Sequence, residues 1–492
     1  MNRKGNQITG ELISPWRYLS AMLIVLMLLA GCGNLFPGNG GGIPGAAVES
    51  PTPSGSTDIS DPAASTASAE SSPDGAGNGD AVSPSPQATD SAASPATSEP
   101  LTSPDGTGGS TDHPDGTTGS AIVTDGSGTG SAGGSNRTVA SFNGKPIKVK
   151  AVYVSGPMAG FNVDHYIDLV NQTELNALVI DIKDAGIVNY ETKAALCHEL
   201  GLYKKNFRVD EVLAKCHENG IYVIGRIVVF RDNALAKKRP EYAIRKSDGT
   251  VWLENNNKEG AWTSPAVSGV LEYNIEIAKE AIARGFDEIQ FDYVRFPTVT
   301  KTNQAAYPAG MPGKIDVISG FLRQASAEIK AVRVVPVSAD VFGIIAESVS
   351  DGKAIGQQLE MVGKVVDFLS PMVYPSHYAN AGKGVTMGNG VGQTINGILF
   401  TTPDLHPYEV VKQTLLKTKR RADATPGFKA GIRPYLQDFT ASYIRNKSYY
   451  QVYGPKQIRQ QIQAVYDAGY EEWILWNAKN IYSESGLLPA QP

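Results

Sequence analysis

From about residue 141 onward, two hydrophobic periods alternate along the chain. Short β-branched runs occupy 147–155, 177–182, 221–230, 288–294, 332–340, 367–374, 428–435 and 471–477. Between them, apolar residues recur at helical spacing. Val163, Tyr166, Ile167 and Val170 form one stripe; Ile315, Ile318, Phe321, Leu322, Ala325 and Ile329 form another; Ile458, Ile462, Val465 and Gly469 close the series. Gly220, Gly285 and Gly469 stand just before the next strand, where a left-handed C-cap is expected. Strand and helix in alternation predict a parallel α/β sheet. Eight repeats in some 350 residues predict a closed (β/α)8 TIM barrel with several long loops. The rival is a doubly wound open sheet, which usually carries a Gly-rich phosphate turn after its first strand. Here that strand ends Val152-Tyr153-Val154-Ser155-Gly156-Pro157, with no GxGxxG, and no Walker motif occurs elsewhere.

The N-terminal pattern is of another kind. An apolar run over 21–30 follows Arg3, Lys4 and Arg17 and ends in Leu29-Ala30-Gly31-Cys32. It is short for a spanning helix, and small residues follow it directly, as in a secretory signal. The tetrad resembles the bacterial lipobox. That resemblance implies a signal peptide over 1–31 and a lipidated Cys32 as the first mature residue, with membrane attachment through the N-terminal lipid on the extracytoplasmic face. An uncleaved anchor with an incidental cysteine is the alternative. Composition then shifts again. Between Gly33 and Ala140 stand twelve acidic residues, one basic (Arg137) and one aromatic (Phe36), in a background of Gly, Ser, Pro, Thr and Ala. Such a stretch cannot bury enough apolar surface to offset the entropy of ordering. The expected organisation is therefore a signal at 1–31, the lipidated cysteine with a disordered tether at 32–140, and one folded domain at 141–492, fewer than length alone suggests.

Charge follows these boundaries. The whole chain carries −5, and the folded domain about +4. No basic cluster or stripe marks a nucleic-acid surface. Cys216 shares a helical face with Val209, Val212 and Leu213 and reads as a small buried hydrophobe; a bond to Cys197 stays open, since sequence does not supply the geometry.

Barrel chemistry sits at the C-terminal ends of the strands. Those ends hold Asp181 and Asp184 (strand 2), Arg226 (strand 3), Asp292 and Arg295 (strand 4), Asp340 (strand 5), Tyr374 and His377 (strand 6), Arg433, Tyr435 and Asp438 (strand 7), and Trp476 and Asn477 (strand 8). Planar aromatics pack on sugar rings, and fixed polar groups bond hydroxyls. Alternation puts Asp292 on the face of Gln290 and opposite Ile289 and Phe291, so it is expected to point into the opening, with Arg295 near enough to hold it ionised. Asp340 ends the adjacent strand. Two such carboxyl groups can straddle a glycosidic bond, one ionised and one protonated. Trp252 and Trp262, in a long polar loop after strand 3, are candidate sugar platforms beside Tyr374 and Trp476.

At these residues the chain resembles the glycoside hydrolase barrels of bacterial extracytoplasmic proteins and lipoproteins. The segments that carry the likeness are Arg226-Ile-Val-Val-Phe-Arg-Asp232, Lys238-Arg-Pro-Glu241, Trp262-Thr-Ser-Pro265, Phe286-Asp-Glu-Ile-Gln-Phe-Asp-Tyr-Val-Arg-Phe-Pro297, Ser370-Pro-Met-Val-Tyr-Pro375 and Trp476-Asn-Ala478. The resemblance implies a (β/α)8 barrel that hydrolyses glycosides without a cofactor. More distantly, an Asp at the end of strand 4 and an acid on strand 5 are similar to the α-amylase-type arrangement, although the strand-5 acid there is a Glu and here is Asp340.

Three functions are compatible with these residues: a retaining glycosidase with catalytic Asp292 and Asp340, a non-catalytic glycan-binding surface lipoprotein, and a barrel enzyme gathering a hard cation on Asp181, Asp184, Asp292 and Asp340. The six histidines form no HExxH or HxxEH pattern, which argues against zinc. The glycosidase reading has a carbohydrate partner and no metal. Oligomeric state is not legible.

Overall fold

The computed structural model describes residues 137–490. The expectations for the signal segment, for Cys32 and for the tether up to residue 136 fall outside them. Eight parallel strand positions close into a ring: β1 (Lys150–Val154), β2 (Ala177–Asp184), β3 (Tyr222–Val228), β4 (Glu288–Asp292), β5 (Val337–Phe342), β6 (Phe368–Val373), β7 in two pieces (Gly431–Ile432 and Tyr435–Gln437) and β8 (Trp473–Trp476). Each pairs with the next, and β8 returns to β1 with Ile474 opposite Ala151. The architecture is the TIM barrel, and the open-sheet rival is excluded.

The outer layer consists of α1 (Gly156–Gln172), α2 (Val209–Glu218), α3 (Ser268–Arg284), α4 (Lys314–Val332), the short α5 (Leu359–Gly363), α6 (Pro407–Asp423) and α7 (Pro455–Asp467). Their stripes are those expected: Val163, Tyr166, Ile167 and Val170 are buried on α1, and Ile318, Phe321, Leu322, Ala325 and Ile329 on α4. Gly220 and Gly469 take positive φ after their helices, and Gly285 does so as a C-cap. After β8, among the described residues, a single helical turn and an extended tail replace the eighth helix, and Pro489 pairs back onto Thr173.

Two strand boundaries depart from expectation. The run 332–340 was expected to be strand throughout, but α4 continues to Val332 and β5 begins at Val337. Strand 7 breaks at Arg433-Pro434, because proline has no N–H to give the ladder.

Period 2 sorts the strand side chains into two cores. Leu178, Ile180, Ile289 and Phe291 face outward to the helices. Val179, Ile224, Tyr435 and Ile474 face the barrel axis. The axis is layered, as small barrels require. In the middle, Tyr435 Oη donates to Gln290 Oε1 at 2.5 Å and Gln290 Nε2 donates to Ser370 Oγ at 3.2 Å. Below them, fully buried Arg433 donates to Glu288 and Glu472, each at 2.8 Å, and Ser338 Oγ donates to Glu288 at 2.6 Å. Cys197 and Cys216 are both buried and free, so they do not pair. Among the described residues no helix is long and apolar enough to cross a membrane.

Candidate active site

Above the Gln290 layer, the inward positions of β2 to β5 converge on one guanidinium. Arg226 donates from Nη1 to Asp181 Oδ1 and from Nη2 to Asp292 Oδ2, both at 2.5 Å, and its Nε lies 3.8 Å from Asp340 Oδ2. Tyr153 on β1 donates to the other Asp181 oxygen at 2.5 Å, and its ring lies 5.5 Å from the guanidinium carbon. The barrel register produces this cluster directly: Arg226 is opposite Asp181 on one side, and Arg226 opposite Gln290 brings Asp292 one inward step above. Phe291 is opposite Ala339, so Asp292 and Asp340 fall level on neighbouring strands about 4.8 Å apart at the backbone.

The three carboxyl groups differ in their surroundings. Asp292 is 5% exposed, ion-paired to Arg226, and accepts a 2.5 Å hydrogen bond from the Tyr293 N–H. Tyr293 itself sits at φ +48°, a left-handed conformation that is uncommon for a bulky residue and collects at functional sites. Asp340 is 1% exposed, and among the described residues neither of its oxygens has a hydrogen-bond partner. Burial, with the negative charge of Asp292 next in size, holds its carboxyl well above the usual range, and the more distant Arg226 only partly opposes this. Burial also pushes Asp181 up to about 7 against the pull of Arg226. The ion pairs hold the Arg226 guanidinium charged despite its burial.

A cavity of about 90 Å³ opens on this group, lined among others by Arg226, Asp292, Asp340, Tyr374, Tyr435 and Trp476, with Arg295 and His377 at its wall. Tyr374 and half-buried Trp476 lie 5.6 Å apart, centroid to centroid, and Phe439 packs edge-on to Trp476 at 5.3 Å. His377 stands edge-on to Tyr374 at 4.9 Å; its Nε2 has no partner among the described residues, and burial lowers its pKa to about 4, leaving the ring neutral. A larger depression, of about 870 Å³, lies on the opposite, N-terminal face of the barrel. Its charges pair with nearby residues, Lys148 with Glu471 at 3.2 Å and Lys429 with Asp367 at 3.7 Å, and none of the converging acids reaches it.

Of the expected site residues, Asp292, Asp340, Arg226, Arg295, Tyr374, His377, Tyr435 and Trp476 line the cavity, and Asp181 stands behind Arg226. The others do not. Trp252 is 1% exposed in the core, with its indole N–H given to the Asn303 carbonyl. Trp262 is fully buried beneath Arg295, 4.7 Å from ring centroid to guanidinium, so it supports that arginine and offers no face to a sugar. Neither tryptophan offers a platform, because the strand-3 loop folds back on itself and on Asn303 and Ala306 and both rings pack into the main core between barrel and helices. Arg433 belongs to the Glu288–Glu472 network at the closed end. Asp184 is exposed at the end of β2, outside the cavity lining. Asn477 spends its amide on the carbonyls of Asp438 and Ile481 and organises the loop after β8. The partner of Asp292 is Arg226, where Arg295 was expected; Arg295 instead lies between the rings of Trp262 and Phe342. Among the described residues no group of three His, Cys, Asp or Glu side chains is placed to hold a metal ion.

Sequence reading missed Tyr153 and Gln357. Tyr153 was legible by alternation from Ala151 on an inward face. Gln357 had no signal, since it comes from a loop.

Residues 151–482 match the model of the DUF4015 family, described as "Putative glycosyl hydrolase domain". The chain belongs to this family. It is accordingly a glycoside hydrolase barrel, as the strand-end residues implied. Among solved structures it is similar to a hypothetical protein from Ruminiclostridium thermocellum ATCC 27405, at 41% identity over 39% of this chain and 97% of that one, with a TM-score of 0.36. It is also similar to the PgaB (BpsB) glycoside hydrolase domain from Bordetella bronchiseptica, at 14% identity over 68% and 95%, TM-score 0.48. A third is TtGalA, an alpha-galactosidase from Thermus thermophilus, at 14% over 71% and 61%, TM-score 0.39. No curated protein matches the chain.

Proposed function

We propose that this family member is a retaining glycosidase of the cell envelope, with Asp292 as nucleophile and Asp340 as general acid and base. The observation that carries this reading is the contrast between two side-by-side carboxyl groups. Asp292 is ion-paired to Arg226 and accepts a backbone N–H, while Asp340 is buried, has no hydrogen-bond partner among the described residues and is shifted toward its protonated form. Their level placement on adjacent strands suits the ~5–5.5 Å carboxyl spacing of retaining enzymes better than the ~6.5–9.5 Å of inverting ones.

In the first step Asp340 gives its proton to the glycosidic oxygen as Asp292 attacks the anomeric carbon. The C–O bond to the leaving sugar breaks and an ester to Asp292 forms. In the second step Asp340, now a carboxylate, takes a proton from water. That water attacks the same carbon and releases Asp292. The cavity opens beside both carboxyl groups, and Trp476 and Tyr374 in its lining suit the apolar face of a sugar ring. The substrate is a polysaccharide or oligosaccharide, and the Leu29-Ala30-Gly31-Cys32 tetrad supports an envelope location.

A purely glycan-binding role is disfavoured by Asp340. A binding module gains nothing from a buried carboxyl that bonds to no group among the described residues, and such burial is costly. The test is Asp292→Asn on a panel of aryl glycosides and envelope polysaccharides. Turnover is expected to fall on the order of 10⁴-fold with sugar binding retained. A 2-fluoro glycoside is expected to trap an ester on Asp292. Equal loss of binding and turnover would favour the binding module.

A further inference from the structure

Strand β5 carries Asp340, yet its β4 neighbour stops too early to hold it. The β4–β5 ladder ends with Phe291 opposite Ala339. The next β4 residue facing this edge is Tyr293, opposite Val341, and Tyr293 has left the strand at φ +48°. In a parallel ladder one residue gives its N–H to the carbonyl before its partner and takes the N–H after it. The Ile289 N–H indeed goes to the Pro336 carbonyl, while Asp367, preceding β6, gives its N–H to the Val337 carbonyl on the other side. The Asp340 carbonyl and the Phe342 N–H therefore face the gap that Tyr293 vacates, and both would be buried polar groups without a partner.

Gln357 fills that gap. Its Nε2 donates to the Asp340 carbonyl at 3.1 Å and its Oε1 accepts from the Phe342 N–H at 3.2 Å. One side-chain amide thus makes the two bonds that residue 293 would have made had β4 continued. Gln357 is 1% exposed and lines the cavity. The chain is bent to deliver it: Gly356 ends the preceding helical turn at φ +83°, and a Cβ there would stand 2.7 Å from the Lys314 carbonyl.

We infer that Gln357 is a positioning residue that replaces the missing strand residue and fixes the height of Asp340 in the barrel mouth, where its carboxyl meets no hydrogen-bond donor among the described residues. This deepens the glycosidase reading and rests on Asp340 being the acid. The groups that act on the Asp340 carboxyl are Asp292, Arg226, Asp181 and Glu288, with Tyr374 and Tyr435 also coupled to it. Without Gln357 the end of β5 is free to move. The carboxyl can then close the 3.8 Å gap to Arg226 Nε or reach water, and either event favours the ionised form.

The experiment is a ¹³C-carboxyl NMR titration of the full chain, with the Asp340 resonance assigned by its loss in Asp340→Asn. In the parent protein Asp340 should titrate well above the ordinary carboxylate range. In Gln357→Met its titration should fall by at least one pH unit. Gln357→Asn, which keeps the amide one methylene short, should fall less and serves if the Met variant does not fold. An unmoved Asp340 titration in a folded variant overturns the role of Gln357. An Asp340 that titrates in the ordinary carboxylate range in the parent overturns the acid assignment itself and hence the glycosidase reading, so the two failures are distinguishable. As a second readout, Asp340→Asn and Gln357→Met should both lose more rate on 4-methoxyphenyl glycosides than on 2,4-dinitrophenyl glycosides. A general loss of structure would lower both rates alike.

Discussion

In its ionised form Asp340 is destabilising to the fold. Its carboxyl is held above the ordinary aspartate value of about 3.9. Between that value and its folded value, the native state binds a proton that the unfolded chain has released. Stability therefore falls as pH rises through this window, since the slope follows the protons bound in the unfolded state minus those in the native state. Asp340→Asn removes the titration while keeping the shape. Its melting temperature is expected to match the parent near pH 4 and to exceed it increasingly as pH rises through that window, with each kcal/mol recovered worth about 1–2 °C in a domain this large. A gain that stays flat with pH would show that the carboxyl is not the source. Arg226 is the opposite case. Arg226→Leu strips the partner from both Asp181 and Asp292, each within 2.5 Å. Leaving a buried charge unpaired costs about 3–5 kcal/mol, so thermal unfolding should shift down by several degrees and turnover should vanish with it.

At the scale of elements, the strand-then-helix rhythm made the barrel legible, because period 2 and period 3.6 alternate cleanly from Lys150 to Trp476. The strand-end rule then found Arg226, Asp292 and Asp340, since inward parity is a local property of each strand. What stayed hidden depends on partners far away in sequence. Val332, Val334 and Val335 look like strand, but α4 keeps Val332 as its last residue. Trp252 looked like a platform because nothing local shows that Asn303 will cover it. Gln357 mattered only because a different element, β4, ends early. The pair formed by Lys183 and Asp232 is a further example. Both are fully buried on the outer side of the barrel, 2.7 Å apart, and Lys183 also bonds Asn274 at 2.7 Å. Asp232 accepts the Leu235 N–H, so it ties the end of β2 to the helical turn at 233–238. The two side chains should behave as one unit. Lys183→Met alone is expected to cost about 3–5 kcal/mol by urea unfolding, and the double variant Lys183→Met/Asp232→Asn about 2 kcal/mol less than that single change. Additive losses would mean that the contact does not couple the elements.

At the scale of the whole molecule, the chain joins a barrel of nearly balanced charge to a long acidic segment that begins at Cys32. The cavity lies on the C-terminal face of the barrel, while Thr138, near the start of the described residues, bonds to Asp367 at the strand-beginning face. The described chain therefore enters the barrel at the end away from the acids. The proposed lipid anchor is testable. Two acyl chains hold a protein on a membrane where one does not. Cys32→Ser should move the protein from the membrane pellet to the soluble extracytoplasmic fraction. Because residue 32 is remote from Asp292 in the chain and the barrel carries its own core, kcat on a soluble aryl glycoside should stay within about twofold, while the rate on envelope-bound polymer should fall as local concentration is lost. Retention of the variant in the membrane pellet would refute the anchor and leave the barrel chemistry untouched; a fall in kcat on the soluble substrate would mean that the segment before the barrel takes part in the site.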